Sequence, residues 1–117
     1  MATLIVQGHA IESPAGEVYA PFNIRVPCNP EPSSRVIALS SDAPFVVSFD
    51  GLIGANVVQV EADHPVRMTI DSVAGSAQTI PLEFISLVSR SIDITAITFV
   101  RVAGQATTVR LTLGQEA

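Results

Sequence analysis

The chain has 117 residues, the length of one domain, with a net charge of −5 and charged side chains at only 15% of positions, against ~25% in typical soluble domains. Apolar residues make up 48%, but Ser, Asp, Pro or Gly interrupts each apolar run well before the ~18 residues of a membrane helix. The six basic residues are all arginines scattered along the chain, which argues against nucleic acid or a membrane surface as a partner. We therefore expect a domain whose excess apolar surface is covered by another chain.

Residues 1–33 are predicted to form an extended strand followed by a long irregular arm. The stretch ATLIVQGHAI is apolar enough for a strand, whereas five of the eight prolines lie between residues 14 and 32. Proline has no amide proton to donate to a β-ladder, so it is confined to sheet edges. We expect this arm to lie over the main domain or over a neighbouring subunit.

Residues 34–114 are predicted to form an antiparallel β-sandwich of the jelly-roll type, which makes the protein all-β, and residues 115–117 a short frayed tail. Apolar and polar residues alternate in PVRMTID and in TTVRLTLG, as in strands with one buried face. The predicted inward-facing side chains are Val66, Met68, Ile70, Val109, Leu111 and Leu113. DITAITFVRV is apolar on both faces, which predicts a central strand.

An internal repeat predicts two hairpins, because RVIALSSDAPFVVSFD (35–50) aligns without gaps on NVVQVEADHPVRMTID (56–71). Both units read as a strand, an Asp-x-Pro turn, a second strand and a final Asp. A third unit, residues 94–114, repeats the strand–turn–strand order around Ala-Gly-Gln. We interpret Asp50, which precedes a glycine, as a turn residue, since a catalytic role would not explain its counterpart Asp71.

The densest polar cluster is EADH, from Glu61 to His64, with Asp71 nearby in sequence. Two carboxylates and an imidazole could ligate a divalent metal. The aligned segment of the first unit, SSDA, shares only the aspartate with EADH. A turn needs only this aspartate, so we favour a solvated turn over a metal site. Whether this cluster has a role stays open.

The sequence contains few residues that could form a site for nucleophilic catalysis. Cys28 is the single cysteine and excludes an intrachain disulfide, and His9 lies in the first apolar stretch, where a structural role is expected. The sequence holds no Gly-x-Ser-x-Gly motif, and one tyrosine and no tryptophan argue against stacking on sugars. We predict no catalytic, cofactor-binding or metal-binding residue, hence no enzyme and no cofactor, although a role for Cys28 stays open.

The segments FVVSFDG (45–51), VQVEADHPVRMTID (58–71) and ITAITFVRVAGQATTVRLTLG (94–114) resemble the hairpins of small all-β virion proteins of tailed bacteriophages. The resemblance covers about residues 35–114 and leaves the proline-rich arm outside. It implies a β-sandwich or jelly roll, a trimer or other cyclic oligomer, and a structural role in a head, tail or fibre base. No functional residue is carried over.

We therefore expect a non-enzymatic component of a phage particle, first of all a capsid decoration protein, that self-associates and binds a larger capsid or tail protein. The N-terminus has no basic region and too short an apolar segment for a signal peptide, so synthesis in the host cytoplasm is expected. Arg67 and Arg110 are either inter-subunit ion-pair partners or ordinary surface residues. The alternatives are a tail or fibre-base accessory protein, and a sugar- or metal-binding β module with Glu61 to His64 and Asp50 as its polar corner. Strand order and subunit number stay open.

Overall fold

The computed structural model describes residues 2–11, 16–72, 75–90 and 92–117, without the side chains of residues 11, 19, 75 and 76. Their secondary structure consists of strands, which confirms the all-β prediction. The strands are β1 (Ala2–Ile11), β2 (Val18–Cys28), β3 (Ser33–Leu39), β4 (Phe45–Val46), β5 (Val57–Ser72), β6 (Gly75–Val88), β7 (Ile94–Arg101) and β8 (Thr107–Gly114). Within the described part of the chain, no helix is long and apolar enough to cross a membrane.

The long strand β5 organises the main sheet. It pairs with β6 along one side, and on its other side with β8 through residues 57–62 and with β7 through residues 66–72. The outer strands β3 and β4 pair with β8 and β7 respectively, and all of these pairs are antiparallel. The first part of β5 therefore lies between β6 and β8, and its last part lies between β6 and β7.

A bulge lets this antiparallel sheet curl. Between the pairs Glu61–Phe84 and Val66–Leu82, β5 advances by more residues than β6 does. Such an irregularity bends a strand and increases its twist. Buried residues on both sides of the bend, among them Val58, Val60, Val66 and Met68, then join one core.

The predicted alternation is confirmed in the two strands where it was clearest. Val66, Met68, Val109, Leu111 and Leu113 are buried, and Ile70 is partly buried against the same core. β7 lies between β5 and β4, which confirms the prediction of a central strand for the segment that is apolar on both faces.

The predicted hairpins are wrong. β3 and β4 flank the first Asp-x-Pro but pair with different strands, and the second Asp-x-Pro lies inside β5 as part of its bulge. Pro65 is accommodated because the ladder to β6 is interrupted between Glu61 and Val66. β7 and β8 are joined by a turn at Gly104, but both pair with β5 rather than with each other.

The proline-rich segment also differs from the irregular arm that was expected. β1 and β2 form a regular antiparallel hairpin from Ala2–Cys28 to Ile11–Val18. Pro21 lies where the register shifts between the pairs of Gly8 and Ala10, and Pro27 lies opposite Thr3 at the hairpin base. A two-stranded hairpin has two free edges, so it tolerates proline there. Residues 12–15, with Pro14, lie outside the described residues.

The base of the hairpin packs on the face of the sheet opposite to the core. Val6, Val26, Cys28 and Val57 form a second buried cluster, with Leu4 packed against it. Val57 faces away from the main core because its neighbour Val58 faces into it. The frayed tail that was expected is instead bonded at the hairpin base. The Ala117 N–H donates to the Pro27 carbonyl of β2 at 2.9 Å, and the N–H of Asn29, directly after β2, donates to the Gln115 carbonyl at 3.1 Å.

Candidate functional site

Asp50 lies in a tight turn, as predicted. Asp50 and Gly51 have φ angles of 51° and 90°, and the Leu52 N–H donates to the Phe49 carbonyl at 3.0 Å. Two positive φ angles suit an Asp-Gly pair, since both residues tolerate the left-handed region. The Asp50 carboxylate also accepts from Ser33 at 3.0 Å and pairs with Arg35 at 2.7 Å. Its contacts therefore fasten the turn to β3.

The carboxylates of the EADH cluster are held by an arginine. Arg110 on β8 pairs with Glu61 and with Asp63, each at an N–O distance of 3.0 Å. The His64 backbone N–H donates to the Thr107 hydroxyl at 3.0 Å. Among the described residues, no group of three or more His, Cys, Asp or Glu side chains is placed to hold a metal ion. Arg110 thus has its acidic partners within its own chain.

The ion pair between Asp42 and Arg101 was not anticipated from the sequence. The Asp42 carboxylate accepts from Arg101 Nε at 2.8 Å and from the Gly104 N–H at 3.0 Å. These bonds join the loop after β3 to the turn between β7 and β8. The Gly104 amide, and then the Arg101 guanidinium, lower the pKa of Asp42 below its ordinary value. The arrangement fastens two loops together.

The hairpin keeps Cys28 and His9 apart. Cys28 lies at its base opposite Ala2, whereas His9 lies at the register shift in the distal half. The Cys28 thiol is buried and donates to the Val26 carbonyl at 3.3 Å. Burial raises the pKa of this thiol, which disfavours the nucleophilic thiolate. Cys28 and His9 are therefore not arranged as a nucleophile and its general base.

One face of the hairpin is continuously apolar. Cross-strand register places Leu4 opposite Val26, Val6 opposite Ile24 and Gly8 opposite Phe22. The half nearest the base is buried on the sheet, but the face continues beyond it: Phe22 remains 43% exposed and Ile24 36%. Gly8 positions the Phe22 ring, since a Cβ on Gly8 would lie 3.0 Å from the ring carbon Cζ.

A groove with a volume of ≈ 490 Å³ separates this hairpin face from β6. We call it the hairpin groove, and it is lined by Val6, Phe22, Ile24, Phe84, Ile85, Ser86 and Val88. Its most exposed lining residue among the large apolar side chains is Phe84, at 57%. The lining carries no charge, and the Ser86 hydroxyl oxygen is buried without a hydrogen-bond partner. Such a surface favours contact with another apolar surface.

The strand beside the groove is a sheet edge. In the described structure, β6 pairs with β5 alone, so the backbone groups on its other side are not used in a ladder. A long edge strand can pair with a further strand. The hairpin groove and this edge lie together, which makes this side of the molecule the candidate functional site.

The hairpin groove was not predicted from the sequence, because the prolines of residues 14–32 indicated an irregular segment in spite of the alternation around them. The period-two signal is present in Leu4, Val6 and Gly8, and again in Phe22, Ile24 and Val26. Comparisons with known proteins found no match to a family model, a curated protein or a solved structure. The assignment of a function therefore depends on the geometry of the chain itself.

Proposed function

We propose that the protein is a non-enzymatic structural component of a phage particle, most specifically a capsid decoration protein, which oligomerises and binds a larger assembly. The observation that carries the proposal is the hairpin groove, an uncharged apolar surface beside an open strand edge. Burial of such a surface between chains is the usual source of stability in protein assemblies. In this proposal the curled sheet acts as a jelly-roll-like body and the hairpin as the contacting arm.

The polar groups of the chain support a structural role over a binding module. Arg110 already compensates Glu61 and Asp63, and Asp50 is engaged by Ser33 and Arg35. Their contacts join strands and turns within the chain. A sugar- or metal-binding corner would instead need these carboxylates to exchange their partners for a ligand.

Protein quantification in purified particles tests this proposal. Particles from a culture that produces the chain are separated by density and their proteins measured by mass spectrometry. We expect the chain to co-purify with the major capsid protein in a fixed ratio, and labelled antibodies to place it on the head by electron microscopy. A chain that is abundant in the lysate but missing from the particles would contradict the proposal, and tail labelling would favour the tail accessory role.

A further inference from the structure

We infer that the hairpin groove is the interface between two copies of this chain, related by a two-fold axis, with Phe22 of each copy entering the groove of the other beside Phe84. This inference deepens the proposed function and rests on its expectation of self-association. It assigns the partner as a second copy and names the side chains that make the contact.

The apolar face of the hairpin extends beyond the part that the sheet covers. Leu4, Val6 and Val26 of this face already pack on the outer side of the sheet. Phe22 and Ile24 extend the same face over the groove, where they remain partly exposed. The strand register thus presents an apolar surface that is half used within the chain, and a second copy would cover the remaining half.

The exposed apolar area suits the centre of an interface. From the exposed fractions of Phe22, Ile24 and Phe84, and side-chain surfaces on the order of 200 Å², these three residues of each chain offer about 270 Å² of apolar area. A specific interface buries roughly 800 Å² per partner, with an apolar core and a polar rim. The three side chains supply about a third of that area, as the apolar centre of an interface of this size, and the hairpin and β6 supply the rest.

Charge also favours this surface. Each chain carries a net charge of −5, so repulsion opposes a contact between two copies least where no carboxylate lines it. The groove lining has none, and Glu61, which lies opposite Phe84 on the neighbouring strand β5, is compensated by Arg110. A partner selected by charge would need charged groups in the groove, and a second copy does not.

A two-fold axis suits the shape of this surface. In a two-fold contact the same surface serves both partners, so one interface covers both grooves and leaves none open. The groove offers both parts that such a contact needs, a partly exposed ring at Phe22 on the hairpin side and a wall at Phe84 and Val88 on the β6 side. The antiparallel direction of two-fold related strands also suits the edge of β6.

Sedimentation equilibrium of the full chain at a series of micromolar concentrations tests the inference. We expect a monomer–dimer equilibrium, and we expect F22S and F84S each to raise its dissociation constant about thirty-fold or more, the effect of an interface hot spot. I53S is the matched control, because Ile53 is 85% exposed and does not line the groove. It should sediment as the unmodified chain does. Circular dichroism checks that each variant is folded, and I24S replaces either one that is not.

The outcomes separate this inference from the proposed function. A chain that stays monomeric, forms a trimer or larger ring, or keeps its dimer in both F22S and F84S overturns the inference. If that chain is nevertheless found on particles, the proposed function stands with another contact surface. If both substitutions dissociate the dimer but the chain is missing from particles, the inference is supported and the proposed function is contradicted.

Discussion

Gly114 on β8 lies directly against Leu4 of the hairpin, so closely that a Cβ on Gly114 would be 2.5 Å from the Leu4 Cδ1 atom. The same Cβ would lie 3.1 Å from the Cys28 sulfur. Since both contacts belong to the second buried cluster, a methyl group here must displace the Leu4 side chain and press on the Cys28 sulfur. We predict that G114A lowers the free energy of unfolding by about 1–3 kcal/mol, measured by urea denaturation.

Shortening the residue that Gly114 contacts provides the control. L4A removes the atom nearest to the added methyl, so G114A and L4A together should cost less than the sum of their separate effects. A G114A protein as stable as the unmodified chain would show that the hairpin does not pack on β8 in this way.

Asn56 connects three segments through one buried amide. Its Nδ2 donates to the Ser89 carbonyl and to Asp93 Oδ1, each at 2.9 Å, and its Oδ1 accepts from the Glu116 N–H at 2.8 Å. Alanine would leave these partners without their bonds, at a cost of ~1–3 kcal/mol for each one that water cannot reach. We predict that N56A lowers the free energy of unfolding by about 3 kcal/mol in urea denaturation. A loss well under ~1 kcal/mol would contradict the role of this amide.

The Asp42 carboxylate should make stability depend on pH in the acid range. Its pKa in the folded chain is lowered by the Gly104 amide and by Arg101. The stabilisation is therefore present above the ordinary pKa near 3.9 and is lost as the pH falls through the lowered folded value. We predict that thermal unfolding midpoints fall less steeply in D42N than in the unmodified chain as the pH decreases below about 4.

Salt and a second substitution check this explanation. Because Asp42 is exposed, the difference between D42N and the unmodified chain should shrink in high salt. D71N removes a carboxylate from β5 that makes neither of these bonds, and it should retain the acid dependence. Identical pH profiles for D42N and the unmodified chain would refute the role of the loop contact.

Ser86 lies in the groove lining with a buried hydroxyl oxygen that has no partner. Removing such a hydroxyl does not break a bond and relieves its desolvation cost. We predict that S86A unfolds at the same urea concentration as the unmodified chain or at a slightly higher one. A clear loss of stability would mean that this hydroxyl makes a hydrogen bond in the folded protein.

The sequence was sufficient for the strands whose pattern depends on local alternation. Val66 and Met68 on β5, and Leu111 on β8, were correctly placed inside because a strand with one buried face must alternate. The pairing of these strands was not predictable in the same way. The same Asp-x-Pro can occur in a bulge or in a turn. Asp63 belongs to a bulge because β5 pairs with β6 on both sides of it.

The hairpin groove could not be predicted from the sequence, for a related reason. Pro21 and Pro27 were expected to lie in a long irregular arm, but each lies where a two-stranded hairpin does not need its amide proton. The juxtaposition of Phe22 with Phe84 also depends on how the hairpin packs on the sheet. That packing follows from close contacts such as Gly114 with Leu4, which local patterns do not encode.

The central claim is that the exposed hairpin face is covered by a second copy of the chain. Hydrogen exchange measured at increasing protein concentration tests it most directly, because protection from a dimer rises with concentration. We predict slower exchange at high concentration around Phe22 and Ile24 and along residues 84–88, with no change around Ile53. Exchange in the hairpin and β6 that is independent of concentration would contradict the claim.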